Sequence, residues 1–482
     1  MPNTAIYWFR NDLRLSDLAG LHAAAQHETV LPVFIFNPKE GGDWAIGGAA
    51  QWWLHQSIER LSQDIAARGG QLILRRGEPQ KVLAELVQQT GASVVCCSRQ
   101  YQPWADQLER DVHAELEGIG VTLKRYPGTL LFEPGEVLTG SGQLFKVFTP
   151  FWRACLRQDP PAAPKPVPTV SWADSAGIES DPLEAWNLCP RNPNWAEGWD
   201  ELWTPGEAGA HEALGQFLES RVPHYGDGRD IPGKRYTSRL SPHLRFGEIS
   251  PRQVWHQAQL AKSHHPGDEG DVDKFLSEIG WREFCKHLVA LFPEMPDKAF
   301  NPKFEHFPWA GDPAHLRAWQ KGQTGYPIVD AGMRELWQTG FMHNRVRMVV
   351  ASFLTKHLLT HWREGERWFW DCLLDADLAS NACSWQWVGG SGADAAPYFR
   401  IFNPVAQGEK FDKDGDYTRH WVPELAELPN KYLHKPWEAP RLTLEAAGIK
   451  LGETYPEPIV DHKQAREAAL AAYGTLKSVE TD

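Results

Sequence analysis

The period of the apolar pattern changes once along this chain, and that change limits the fold more than any other feature. Residues 1 to about 130 alternate between two signals. Residues 5–9, 30–36, 71–75, 93–97 and 122–126 are short apolar or β-branched runs of strand length. Between them, Trp52, Trp53, Leu54, Ile58, Leu61 and Ile65, and then Val82, Leu83, Leu86 and Val87, recur at three- and four-residue steps, as one face of a helix does. Gly69, Gly70 and Gly91 fall where those helices should stop. Such alternation predicts a doubly wound parallel sheet. From Ala208 onward the steps are helical nearly throughout, as in Leu214, Phe217, Leu218 and in Val349, Phe353, Leu354, Leu358. The expected organisation is an α/β domain over 1–130, a connector over 131–206 and an all-α domain over 207–482. Prolines crowd the connector from Pro160 to Pro205, which predicts a strap draped over the surface.

Nothing in the first domain announces its ligand. No GxGxxG or GxxxxGK[ST] follows the first strand, so the crevice at the carboxyl ends of the strands has no specified occupant. Seven cysteines without a CxxC pair point away from zinc or a disulfide framework and towards a reducing cytoplasm. No apolar stretch approaches membrane-spanning length, and no basic-then-apolar leader opens the chain. A net charge of −13 argues against a nucleic-acid binder in the far field. Locally the balance reverses: residues 221–255 hold seven Lys or Arg against three acids. A groove lining and a solvated face both fit that surplus.

The chemistry concentrates later. Trp362-Arg-Glu-Gly-Glu366 precedes Asp375-Ala-Asp377-Leu-Ala-Ser-Asn381-Ala-Cys-Ser-Trp385-Gln-Trp387, and Asp394-Ala-Ala-Pro-Tyr-Phe-Arg400-Ile-Phe-Asn403-Pro404 follows. Carboxylates, an amide and indoles share one short segment. Tryptophan is costly to bury unless its N–H is matched, and 23 of them exceed ordinary core filling; an aromatic cofactor is one reading, plain core the other. Thr237-Ser238-Arg239-Leu240-Ser241, before Pro242, suits either a phosphate cradle or a simple N-cap. In His343-Asn344-Arg345-Val346-Arg347-Met348, helical spacing puts Asn344, Arg347 and Met348 on one face. Arg347 then calls for an anionic partner, with Asp375 or Asp377 as candidates.

Over essentially its whole length the chain resembles the photolyase/cryptochrome family, most closely the bacterial class III cyclobutane-dimer photolyases. Trp8-Phe-Arg10-Asn-Asp12-Leu-Arg14-Leu-Ser-Asp17 resembles the family's opening strand and turn. Thr324-Gly-Tyr-Pro-Ile-Val-Asp330-Ala-Gly-Met-Arg334, the 342–348, 375–387 and 400–404 segments, and Lys431-Tyr432-Leu-His434-Lys-Pro436 resemble its flavin domain.

That resemblance implies FAD in the helical domain. Tyr225, Thr237, Ser238, Leu240 and Ser241 would hold its diphosphate and ribityl chain. Arg282, Asn344, Arg347, Asp375, Asp377 and Asn381 would surround the rings, with an Arg347–Asp375 pair near flavin N5. Asn381 would face N5, where a neutral amide tolerates an anionic reduced flavin that an aspartate would repel. Plant cryptochromes are similar but carry aspartate there. The implied reaction is light-driven splitting of a pyrimidine dimer flipped out of UV-damaged DNA. Glu278 would hydrogen-bond the dimer, with Trp281, Trp387, Asn344 and Met348 around it. Arg229, Arg345, Gln407 and Lys410 would meet phosphates. Trp385, Trp362 and Trp309 would relay electrons from the surface, with Trp337 or Trp387 as a possible branch. Where the family has a further tryptophan, this chain has Phe275. Enzymes for the (6-4) photoproduct place histidine at the Asn344 position, so a cyclobutane dimer is the implied substrate. Class III likeness implies a methenyltetrahydrofolate antenna, although Arg99-Gln-Tyr101-Gln-Pro103-Trp104-Ala-Asp106 lacks the Asn-Glu pair that holds folate in class I members. No metal, no membrane, a monomer and a cytoplasmic location complete the expectation. The alternative is a cryptochrome-type photoreceptor that repairs poorly.

Overall fold

A computed structural model describes residues 3–264, 266–395 and 399–478. Residues 396–398 of the 394–404 motif lie outside it. The chain divides into two units. The first comprises Met1–Pro223, Ser238–Pro293 and Leu374–Ala376; the second comprises His224–Thr237, Glu294–Leu373 and Asp377–Asp482.

The first unit is built on five strands, β1 (Thr4–Phe9), β2 (Thr29–Phe36), β3 (Ile73–Arg76), β4 (Val94–Ser98) and β5 (Thr122–Tyr126), close to the five runs read from the sequence. Their order is β3-β2-β1-β4-β5, and every pair is parallel. β1 is wholly buried while edge strand β5 is largely exposed, as continuous apolar runs at the centre of a two-sided sheet require. On one face Ile6, Trp8, Val33, Ile73 and Val95 pack against Leu83, Leu86, Val112 and Leu116, from helices Pro79–Thr90 and Ala105–Gly118. Gly91 ends the first of these at φ 67°, its N–H reaching the Val87 carbonyl at 2.8 Å, a backbone state that favours glycine.

The proline-rich segment is more than a surface strap. β3 begins only opposite Val33, and Trp172 takes the open place beside Val30. Trp186 stacks on Phe36 at 5.3 Å, Trp199 meets Trp52 at 5.4 Å and Trp203 meets Trp53 at 5.5 Å. These indoles are buried, so much of the tryptophan excess is core after all. Their N–H groups are matched where the contact is visible: Trp53 Nε1 donates to Glu248 and Trp186 Nε1 to Asp181, each at 3.0 Å.

The turn after β1 fixes the helical part of this unit. Arg14 is fully buried and donates to four carbonyls: Ser16 and Asp17 at 3.0 Å, Gly128 and Gly247 at 2.8 Å. Asp17, also fully buried, accepts from Arg252 at 2.8 Å and Ser250 at 2.5 Å. Gly247, at φ 66°, approaches so closely that a Cβ would lie 2.2 Å from the Asn11 carbonyl. The second unit is helical throughout its described residues apart from one isolated bridge, between Leu451 and Tyr455.

Arg14→Met should therefore lower unfolding free energy by about 3 kcal/mol or more, since it strands buried carbonyl acceptors; urea unfolding measures this.

Candidate active site

In the second unit, helix Asn344–Ser352 is started by His343, whose Nδ1 accepts from the Arg345 N–H at 3.2 Å. Burial, the largest effect, depresses the His343 pKa to about 4, so the ring is neutral at physiological pH. Val346, Val349 and Val350 are buried; Asn344 is exposed, and Arg347 and Met348 are half-buried. The 3.6-residue period thus leaves the expected trio on the accessible face. Arg347 spends its Nε–H on the Met342 carbonyl at 2.7 Å and lies over Phe341.

Three residues expected to meet DNA, Arg229, Arg345 and Lys410, gather around Asp230 and Phe411. Arg345 bonds Asp230 at 2.8 Å and covers the Phe411 ring at 4.4 Å. Arg229 lies 4.0 Å from Asp230, and Lys410 covers the other residue's ring at 5.0 Å. Gln407, in the helix Pro404–Phe411, keeps a buried Oε1 without a partner. Sequence spacing had no way to reveal Asp230 as the acid that restrains Arg345. A small cavity of about 40 Å³ is lined by Ser352, Trp387, Asp394, Arg400 and Phe402 among others. Arg400 lies 6.0 Å from the Trp387 ring centre. It belongs to a motif the sequence displays, yet spacing gave it no role.

Helix Leu378–Gly389 is capped by Asp377, whose carboxylate accepts the Ser380 N–H at 3.0 Å. Asn381, 8% exposed, donates Nδ2–H to the Glu366 carbonyl at 2.9 Å, which fixes the amide's orientation. The Glu366 side chain is fully buried, and neither of its oxygens has a partner. Burial holds its pKa well above the usual carboxylate range, which favours the neutral form. Trp362 and Trp385 are 1% and 2% exposed whereas Trp309 reaches solvent, a gradient from inside outward. Trp385 packs against Gly365 and meets Phe369 at 5.0 Å. Trp337, 53% exposed, stacks on Trp368 at 6.0 Å.

In the first unit, Glu278, Trp281 and Arg282 are half-buried on one face of helix Glu269–Leu291. Trp281 stacks nearly parallel on Phe148, 3.7 Å between centres. Arg282 donates to the Thr129 carbonyl at 2.9 Å. Phe275 packs on Phe217 at 4.6 Å, a filling role. Ser238, Arg239, Leu240 and Ser241 do not form an ordinary cap. Leu240 holds the cap position of helix Ser241–Phe246 with no side-chain capping bond, and Arg239 adopts φ 55°. The Ser241 hydroxyl is exposed, and those of Ser238 here and Thr237 in the second unit are half-buried. Tyr225 is buried under the Arg229 guanidinium at 5.3 Å, and Asp375 is 9% exposed. In the sheet domain, Arg99 and Tyr101 are both engaged by Glu133, at 3.0 and 2.5 Å.

Residues 5–169 match the DNA photolyase family and residues 275–475 the FAD binding domain of DNA photolyase. A deoxyribodipyrimidine photo-lyase of Agrobacterium fabrum is 50% identical over 98% of both chains. The chain belongs to the DNA photolyase family. Within the wider photolyase/cryptochrome group, Cryptochrome-2 of Arabidopsis thaliana is 37% identical, covering all of this chain and 80% of that one. A bacterial class III photolyase structure from Agrobacterium tumefaciens superposes with a TM-score of 0.96 at 50% identity, covering 99% of this chain and 98% of that one. A Synechocystis cryptochrome structure gives 0.89 at 29% identity, with 98% and 99% covered. The family's architecture, a parallel sheet domain with a helical FAD-binding domain, is the architecture here. The family match implies a flavin, and the partnerless Glu366 carboxyl and the oriented Asn381 amide are polar groups chemically compatible with it.

One titration is testable here. Glu283 is fully buried, accepts from the Leu131 and Phe132 N–H groups at 2.7 and 3.3 Å, and is pushed up to about 7 by burial, with Arg282 opposing. The folded chain thus binds a proton the unfolded chain has released, and stability is lost as pH rises from about 4.5 to about 7. Glu283→Gln should gain melting temperature relative to the native chain across that window; parallel slopes would refute this.

Proposed function

We propose that the chain repairs cyclobutane pyrimidine dimers in UV-damaged DNA with light, as a deoxyribodipyrimidine photolyase. The observation that carries this reading is Asn381, a buried amide locked by Glu366 where a photoreceptor of the plant type has a carboxylate. An amide carries no charge, so Asn381 adds no negative charge next to a bound reduced flavin. FAD, when bound and reduced, supplies the light-excited electron.

The protein's own groups bind, orient and exclude water. Tyr225, Thr237, Ser238, Leu240 and Ser241 are our assignment for the cofactor's diphosphate and ribityl chain. Arg282, Asn344, Arg347, Asp375 and Asp377 are our assignment for its rings. Glu278 is assigned to hydrogen-bond the dimer carbonyls. Trp281, Met348 and Trp387 are assigned to pack against its apolar faces, since stacking on aromatic rings stabilises an extruded base. Arg229, Arg345, Gln407 and Lys410 are assigned to DNA phosphates; for Arg345 the bond to Asp230 must exchange for a phosphate, a local step that net charge alone does not describe. For the antenna we keep methenyltetrahydrofolate, on class III likeness alone. Our reading has the protein act as a cytoplasmic monomer; among the described residues no helix is long and apolar enough to cross a membrane.

The purified protein should release FAD on denaturation, and illumination should restore dimer-containing DNA; a flavin-free preparation would count against the reading. Glu278→Ala should slow repair while flavin stays bound, as read from absorption and single-turnover repair. Trp362→Phe should impair photoreduction of oxidised flavin, while chemically reduced enzyme still repairs. Loss of both would overturn the relay assignment.

A further inference from the structure

We propose that His361 is the bridge of the outer hop in the tryptophan relay, carrying the electron between Trp309 and Trp362. This inference rests on the relay reading above and adds a residue to it.

Among the described residues no ring contact joins Trp309 to Trp362 directly. The His361 ring touches both: its centre lies 5.0 Å from that of Trp309 and 5.4 Å from that of Trp362. Electron tunnelling weakens steeply across empty space and less steeply through packed groups, so a ring in contact with both indoles offers the stronger coupling route. Its position is fixed. His361 caps helix Trp362–Cys372, with Nδ1 accepting from the Arg363 N–H at 3.1 Å. That bond assigns the ring proton to Nε2 in the neutral tautomer.

Charge matters as much as contact. In the hop, one electron leaves the Trp309 indole for the oxidised Trp362 indole. Trp362 becomes neutral, Trp309 becomes the radical cation, and an external thiol, itself oxidised, refills it; no bond within the protein forms or breaks. A protonated imidazole between the two rings would repel the positive hole from both. The charged groups that face it are Arg363 on its own helix and Glu305 from the Pro302–His306 turn, themselves 3.6 Å apart. Burial, aided by Arg363 and opposed by Glu305, depresses the His361 pKa to about 4. The bridge is therefore neutral at working pH.

Flash photolysis of the FAD-loaded protein, following tryptophan-radical absorption, tests this. His361→Asn keeps a capping oxygen but removes the ring; the yield of long-lived Trp309 radical should fall severalfold, with flavin content and melting temperature kept. His361→Phe restores a ring that cannot titrate. It should recover the yield and should lack the decline that the native chain shows as pH approaches about 4. An Asn variant with native yield overturns the proposal, as does a Phe variant that still declines. Trp309→Phe and Trp362→Phe run alongside: if neither changes the signal, the relay itself is wrong, which is a different result.

Discussion

A fully buried guanidinium with no directly bound carboxylate among the described residues lies under this architecture. Arg14 is satisfied by four carbonyls drawn from the turn after β1, from Gly128 beyond β5 and from Gly247 in the helical segment. A buried cation tolerates no missing partner, so those three stretches must arrive together. Asp17 answers from three residues away by gripping Arg252 and Ser250. Chain segments more than two hundred residues apart are thereby made one body, and helix Glu269–Leu291 with Glu278 and Trp281 stands on that body.

The second unit solves the opposite problem, holding polar groups near a flavin domain without free charge. His343 and His361 are kept neutral by burial, burial likewise raises the Glu366 pKa, and Asn381 carries no charge at all. Cations remain at Arg229, Arg345 and Lys410, where Asp230 and the Phe411 ring hold them in place. An acidic protein can in this way present a short cationic patch to a polyanion, since the patch acts within a Debye length while net charge acts beyond it.

Much of this is legible in the sequence. Strand runs announced themselves because buried parallel strands are apolar on both faces, and the Asn344, Arg347, Met348 face followed from the helical period. Gly91 stopped its helix for the reason expected. What chain order hid was long-range. Nothing in 238–293 says that it packs with the sheet, because Gly247 is read as an ordinary helix end until Asn11 is found against it. The tryptophan excess stayed open between cofactor contact and core, since a sequence does not display which indole finds Trp52 or Trp53. Glu366 stood in the segment that concentrates carboxylates and indoles, but nothing in the chain order tied its carbonyl to Asn381, and His361 gave no signal beyond that of a capping residue. Arg239 at φ 55° removed the simple cap reading of its segment, a backbone fact no composition reveals.

Phe148 already occupies one side of the Trp281 indole. A ring with a single free face can end a pile but cannot be threaded into one. Any planar guest that lies on Trp281 must therefore have left its own neighbours on at least one side first, and an intact, continuously stacked duplex offers no such terminus.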